Sequence, residues 1–230
     1  MTLLAIETAT DIAGAALLDH GSLRASLAFR PQRDVCQRLL PRIQEMMGEA
    51  GVSIEKVAAI AVGRGPGSFT GIRIGVSIAK GMALALGVPL FGVSTLAACA
   101  YPALGSGGIA CALIPAHGDE LYAGLFRAGE TLEPIEEDVL TASDLIARLA
   151  HLGERVTFAP VAAQARAVLP LKELNVEHSF LPAEITWHLA TWVGRLAAAR
   201  LEAGEAGDGI GLAPVYLRPS QAELQADGTP

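Results

Sequence analysis

The sequence predicts a two-lobed α/β protein in which mixed sheets are flanked by helices and one unit is laid down twice. Three observations carry this reading. At 230 residues the chain exceeds the roughly 100–200 residues of an ordinary domain. Its first hundred residues alternate period-two segments with helical ones. The opening pattern then recurs: Leu4-Ala5-Ile6 with Asp11, Ala15 and Leu17 aligns without a gap on Ala112-Leu113-Ile114 with Asp119, Ala123 and Leu125, about 108 positions later. Two unrelated hairpins could agree this well by chance, so that reading stays open. If the copies are real, lobe one is 1–101 and lobe two 102–230, with the Pro-, Gly- and Ser-rich Tyr101–Gly108 stretch between them.

The elements follow in order. Thr2–Thr8, Ile12–Leu18 and Ser22–Phe29 read as a strand meander joined by polar or Gly-containing turns. Cys36, Leu39, Leu40, Ile43, Met46, Met47 and Ala50 fall at helical spacing, and Gly51 ends that helix. Lys56–Gly63 carries the Val/Ile-rich run of a buried strand. A loop over Gly63–Thr70 enters a helix at Gly71–Leu86, and Pro89–Val93 is the next strand. Beyond the recurring hairpin come an acidic strand near Glu133–Leu140, a helix at Ser143–Leu152 capped by Ser143, and a long helix through Ile185–Glu202, which could pack back on the first lobe. Val215-Tyr216-Leu217 looks strand-like, and the polar chain after Pro219 is expected to fray.

Composition narrows the function. Half the residues are hydrophobic and 18% are charged, which suits a large aliphatic core. A net charge of -7 offers no electrostatic footprint for holding RNA unaided, so any link to nucleic acid should run through a partner. Cys36, Cys99 and Cys111 are odd in number and widely spaced, which argues for buried reduced thiols over a disulfide framework or a zinc site. Glu7 and Asp11 interrupt the apolar N-terminus and no basic segment precedes it, so no signal peptide is expected and the cytoplasm is the default. Gly81–Gly118 lacks any Asp, Glu, Lys or Arg, but its Gly and Pro residues break it into core-sized pieces rather than a membrane span.

The most informative string is Gly63-Arg64-Gly65-Pro66-Gly67-Ser68-Phe69-Thr70-Gly71-Ile72-Arg73-Ile74-Gly75. Gly65 and Gly67 permit backbone conformations closed to other residues, Pro66 stiffens the turn, and Ser68 or Thr70 can cap the following helix. The result is a strand-loop-helix junction whose free N–H groups would also suit an anion. As a string it resembles the signature of the TsaB (YeaZ) family and, in part, that of its catalytic paralogue TsaD. The resemblance extends through Leu3–Thr10, Gln37–Pro41, Gly92–Leu96 and Pro214–Arg218, dense over residues 1–100 and thin over 120–210.

The resemblance implies a duplicated actin-like, heat-shock-ATPase-like fold (ASKHA). It implies a non-catalytic subunit that dimerises with TsaD and, with the ATPase TsaE, supports transfer of threonylcarbamoyl to adenosine in tRNA. The tRNA would be met only through the complex, with no membrane involved. TsaD-like chains hold a metal with two His four residues apart, and this chain has Thr95 and Cys99 at those positions. A hydroxyl and a lone thiol make a poor site for the same ion, so no metal, no cofactor and no catalytic residue are expected. Val35, in Arg33-Asp34-Val35, stands where many relatives carry His. The turns that would clamp a nucleotide read Thr8-Ala9-Thr10, Pro115-Ala116-His117-Gly118 and Phe158-Ala159-Pro160, which implies a degenerate cleft. The rival class is an enzyme of the same fold, either a metal-dependent glycoprotease-like hydrolase or a small-molecule kinase.

The partner-binding candidates are Cys36, Leu39, Leu40, Ile43 and Met47 on the first helix, with Gly71, Ile74, Gly75, Ile78, Ala79 and Met82 on the second. The second helix is apolar nearly all round and so needs two covers. Either both lie within the monomer or, as the resemblance favours, one is the equivalent helix pair of TsaD. On that view Gly75 and Ala79 sit in the partner seam, and Ala79→Leu would overpack it. Self-association through the same helices is a third reading. Glu7 with Asp11, Glu184 with His188, and Trp187 with Trp192 have bland explanations as turn, surface and core residues. The sequence leaves Arg64 and Arg73 undecided between a partner carboxylate and water.

Overall fold

The computed structural model describes residues 1–32, 34–161 and 163–218. The first sheet is built from β1 (Thr2–Glu7), β2 (Ala13–Asp19), β3 (Ser22–Phe29), β4 (Val57–Gly63) and β5 (Leu90–Val93), in the order β3-β2-β1-β4-β5. Helix α1 (Val35–Glu49) connects β3 to β4, and α2 (Phe69–Leu86) connects β4 to β5. After the short α3 (Thr95–Ala100), a second sheet uses β6 (Ile109–Pro115), β7 (Glu120–Ala128), β8 (Leu132–Thr141), β9 (Val156–Pro160) and β10 (His178–Phe180), in the order β10-β9-β6-β7-β8. Here α4 (Ala142–Leu152) connects β8 to β9, α5 (Ala163–Ala167) lies between β9 and β10, and α6 (Leu189–Glu202) follows. Both sheets join three antiparallel strands to two parallel ones in the same sequence of pairings. This is a duplicated, actin-like architecture. The hairpins are not identical: Leu4 pairs with Leu17, whereas Ala112 pairs with Gly124, so the second connection is one residue tighter than the ungapped match implies.

Period-two alternation puts β1 side chains into different cores. Leu4 and Ile6 join α1 and α2 in one cluster, while Leu3 and Ala5 join α3 and α6 in the cluster shared with the second sheet. Strands buried on both faces need continuous apolar runs, which is why β1, β2 and β6 read that way. Helix α6 packs across β1 and β2, where a Cβ on Gly194 would collide with Leu18 and lie 3.2 Å from that of Ala5. Only a glycine lets the helix lie that close.

Several expectations need correction. Thr141, not Ser143, caps α4, its Oγ1 accepting from the Asp144 N–H at 3.2 Å. Helix α2 begins at Phe69, two residues before the expected start, because Ser68 is its cap. The long helix splits into a 3-10 stretch over Ala183–His188 and α6, so Trp187 and Trp192 do not share one α-helical surface. Phe158-Ala159-Pro160 is buried strand β9 rather than a turn. Val215-Tyr216-Leu217 pairs in no ladder, although the Val215 N–H donates to the Arg64 carbonyl at 2.7 Å. Tyr101–Gly108 is pinned to β7, through Gly105 N–H to Gly129 O and Gly107 N–H to Ala128 O, both 3.0 Å. Cys36 is exposed, whereas Cys99 and Cys111 are buried. The expected fray after Pro219 lies outside the described residues. By length and composition α2 could cross a membrane, but its inward side packs on β4 and β1.

Candidate docking face and inter-lobe cleft

The loop Gly63–Ser68 is a hub. Its Arg64 N–H reaches Val93 O at 2.9 Å, Gly65 O accepts from the Thr95 N–H at 2.9 Å, and the Ser68 N–H donates to Ala9 O at 2.7 Å. Gly65 and Gly67 take φ of +104° and +149°, a region that side chains oppose. Space is short as well: a Cβ on Gly65 would stand 2.5 Å from Val215 O, and one on Gly67 would overlap Ala9 O. The Ser68 hydroxyl caps α2 by accepting from Gly71 N–H at 3.2 Å. Arg64, Gly65 and Ser68 thus tie β5, α3, the turn after β1 and the C-terminal segment together, while Thr70 is exposed in the first turn of α2. The Nε of Arg64 is buried with no hydrogen-bond partner among the described residues.

Beneath this loop Glu7 closes β1. Its carboxyl is 1% exposed and packs so closely under Gly63 that a Cβ there would overlap it. It accepts from the Ala9 N–H at 2.5 Å and from the Thr95 hydroxyl at 3.4 Å. Burial pushes its pKa up to about 7, opposed by the backbone donors of Ala9 and Thr8 and by Thr95. Thr95 opens α3 and Cys99 lies one turn on, both sealed from solvent. Burial, reinforced by the Glu7 and Glu137 charges, drives the Cys99 thiol well above its ordinary range. A thiol held neutral is neither a good ligand nor a nucleophile. Among the described residues, no three His, Cys, Asp or Glu side chains converge as a metal would need. Asp11 is exposed and pairs with Arg30 at 3.5 Å, so Glu7 and Asp11 sit in opposite environments. Sequence reasoning missed Glu137, which reaches from β8 to accept from the Ser94 hydroxyl at 2.6 Å. No local signal could have paired residues 43 apart.

Two of the expected clamp turns do face each other. Ala9, Thr10 and Asp11 oppose Pro115 and Ala116 across a cleft of about 510 Å³, with Gly67 and Ser68 on its floor. Among the described residues the one charged side chain in its lining is Asp11, which is already paired with Arg30.

The docking candidates divide. Leu39, Ile43 and Met47 lie in the monomer's own core at 0%, 2% and 4% exposure. Gly75 and Ala79 also turn inward: a Cβ on Gly75 would overlap the Thr8 hydroxyl, Gly71 is held equally close to Thr8 O, and Ala79 is fully buried. Their small side chains are explained by β1, so placing Gly75 and Ala79 in a partner seam is corrected. Outward-facing are Cys36 and Leu40 on α1 and Leu84 on α2, with Ile74, Ile78 and Met82 half-buried beside them. A groove of about 550 Å³ runs between Leu40, Pro41, Gln44, Met47, Ile54 and Met82. Leu40, 44% exposed, borders this groove, and Leu84, 67% exposed, stands on a separate outward strip of α2.

Comparison with known proteins identifies the family and the fold. The profile of the family described as TsaD, tRNA N6-adenosine threonylcarbamoyltransferase, matches residues 31–199. The chain is 41% identical over 132 residues to the tRNA threonylcarbamoyladenosine biosynthesis protein TsaB of Escherichia coli, a match spanning 56% of this chain and 57% of that one, little more than half of the relative's length. Against the TsaB of Bacillus subtilis the identity is 26% over 98% of this chain and 97% of the relative. YeaZ from Pseudomonas aeruginosa superposes with a TM-score of 0.79 at 32% identity, covering 94% of this chain and 99% of that structure. A ROK hexokinase from Thermus thermophilus, 15% identical with a TM-score of 0.52 over 89% of this chain and all of that one, shares the fold alone.

Proposed function

Because the chain belongs to the TsaB (YeaZ) family, we propose that it is a non-catalytic accessory subunit in the making of threonylcarbamoyladenosine in tRNA. It docks on a TsaD-like subunit, which carries the chemistry, and works beside a TsaE-like ATPase. The tRNA is met through the assembled complex, in the cytoplasm. The observation that carries the non-catalytic reading is the turn holding Thr95 and Cys99. Where a catalytic relative would grip its ion, this chain has a hydroxyl and a neutral thiol closed into the core, with the Thr95 hydroxyl donating to Glu7.

The docking reading is supported by the apolar surface on α1 and α2, now assigned to Cys36, Leu40, Ile74, Ile78, Met82 and Leu84. The residues beneath them, Leu39, Ile43, Met47, Gly71, Gly75 and Ala79, fix the two helices on the sheet and so set the shape of that surface. The test is reconstitution of the tRNA modification from purified subunits, with this chain included or omitted. Full modification without it would remove the accessory role. Stoichiometric metal and ATP turnover by the chain alone would establish the enzyme reading in its place. Light scattering with and without the TsaD-like subunit separates the heterodimer from self-association through the same face.

A further inference from the structure

The geometry points to Arg73 as the electrostatic anchor of the docking face, held ready for a carboxylate of the TsaD-like subunit. This rests on the docking reading given above and supplies the chemistry of the contact.

Arg73 is exposed on α2, yet its guanidinium is fixed. Its Nε donates to the Tyr216 hydroxyl at 3.0 Å, and its Cζ lies 3.8 Å from the centre of the Phe69 ring. The two rings are themselves 4.7 Å apart. Tyr216 is held there because the adjacent Val215 N–H is bonded to Arg64 O at 2.7 Å. Segments 143 residues apart therefore meet to position one cation. Among the described residues no carboxylate lies within ion-pair distance of it, and its two terminal nitrogens make no hydrogen bond. The stack and the single bond to Nε leave the terminal edge of the guanidinium open. That edge is the one that meets a carboxylate through two parallel bonds. Because the side chain is already ordered, little rotamer entropy remains to be lost on binding.

The occupant follows from charge and surroundings. In a chain of net charge -7, α2 carries Arg73 and Lys80 and no acid at all. The two cations lie seven residues apart, about 10 Å along the axis, on the side that also exposes Ser77. Leu84 shares that strip, and the apolar Ile74 and Ile78 lie further round the helix. A fixed cation at the edge of an apolar helix face matches the composition of protein interfaces, in which Arg is enriched. Phosphate backbones are held by clusters of cations in an overall basic surface, which this chain lacks.

Binding of the purified chain to the TsaD-like subunit, titrated at about 50 and about 500 mM NaCl, tests this. Arg73→Gln should weaken binding about 10-fold at low salt and much less at high salt, with unchanged circular dichroism and melting. Arg73→Lys should restore part of the loss. Tyr216→Phe, which keeps the ring but removes the positioning hydroxyl, should lose about 3-fold. Wild-type affinity for Arg73→Gln, or a loss that salt does not alter, overturns the anchor. If Arg73→Gln instead weakens binding of the isolated chain to tRNA while partner binding stands, the occupant is a phosphate and the carboxylate is refuted. Should the wild-type chain form no complex with the TsaD-like subunit, the docking reading itself fails before any substitution is made, and the anchor with it.

Discussion

Glu7→Gln should remove a specific portion of the protein's pH dependence. Glu7 is 1% exposed, and its donors are the Ala9 and Thr8 N–H groups and the Thr95 hydroxyl, none of them a cation. Burial raises its pKa from 4.5 to about 7. In the unfolded chain the group loses its proton near pH 4.5, whereas the folded protein keeps it until about pH 7. Between those values the folded state binds more protons than the unfolded one. Stability from this group is therefore fully present below pH 4.5, falls as pH rises, and is gone above about 7. A shift of this size corresponds to ~3 kcal/mol. Glutamine is isosteric: its carbonyl can accept from Ala9, its amide can donate to Thr95, and it does not titrate. Urea unfolding of both proteins should be followed at intervals from pH 4.5 to 8. Glu137, raised chiefly by burial, and Asp34 and Asp208, lowered by their hydrogen-bond and ion-pair partners, titrate in both proteins and cancel to first order in the difference. The difference should move in favour of the variant by ~3 kcal/mol as pH rises through the window. A flat difference would mean that Glu7 titrates in the fold as it does in water, and the burial argument would be wrong.

Four further outcomes are expected. Gly75→Ala should destabilise by ~1–3 kcal/mol in thermal melts, because the new methyl overlaps the Thr8 hydroxyl that donates to Gly71 O. Leu84→Asp and Leu40→Asp should leave unfolding within about 0.5 kcal/mol of wild type while weakening capture of the TsaD-like subunit, since both side chains stand in solvent. Leu212→Ala should cost ~2–5 kcal/mol in denaturant unfolding, because that buried side chain covers Gly92 where the C-terminal segment crosses the edge of β5. A thiol reagent should modify Cys36 in the native protein, with Cys99 and Cys111 reacting only on unfolding, as mass spectrometry of the labelled chain would read.

Local signals set most of the strands, the capped loop and the repetition, but not β9, which reads as a turn, or Val215–Leu217, which joins no ladder. Alternation in Leu3–Ile6 and in Ala112–Ile114, the glycines of Gly63–Gly67 and the helical spacing of Leu39, Ile43 and Met47 are local signals, each written within one turn or one strand. The sequence also showed that α2 needs cover on two sides. It did not determine which side of α2 turns inward, because small residues at spacing four serve a strand end in the same chain as readily as a helix of another. Tertiary structure decided that: Thr8, just past β1, lies under Gly71 and Gly75, so the residues of α2 left toward solvent include Ile74, Ile78 and Leu84. It also decided the partners of Glu137, the path of the C-terminal segment over β5, and the meeting of Tyr216 with Arg73. Such contacts join residues tens to more than a hundred positions apart. Periodicity reports that a face will be covered, but the identity of the cover is set only when distant segments pack.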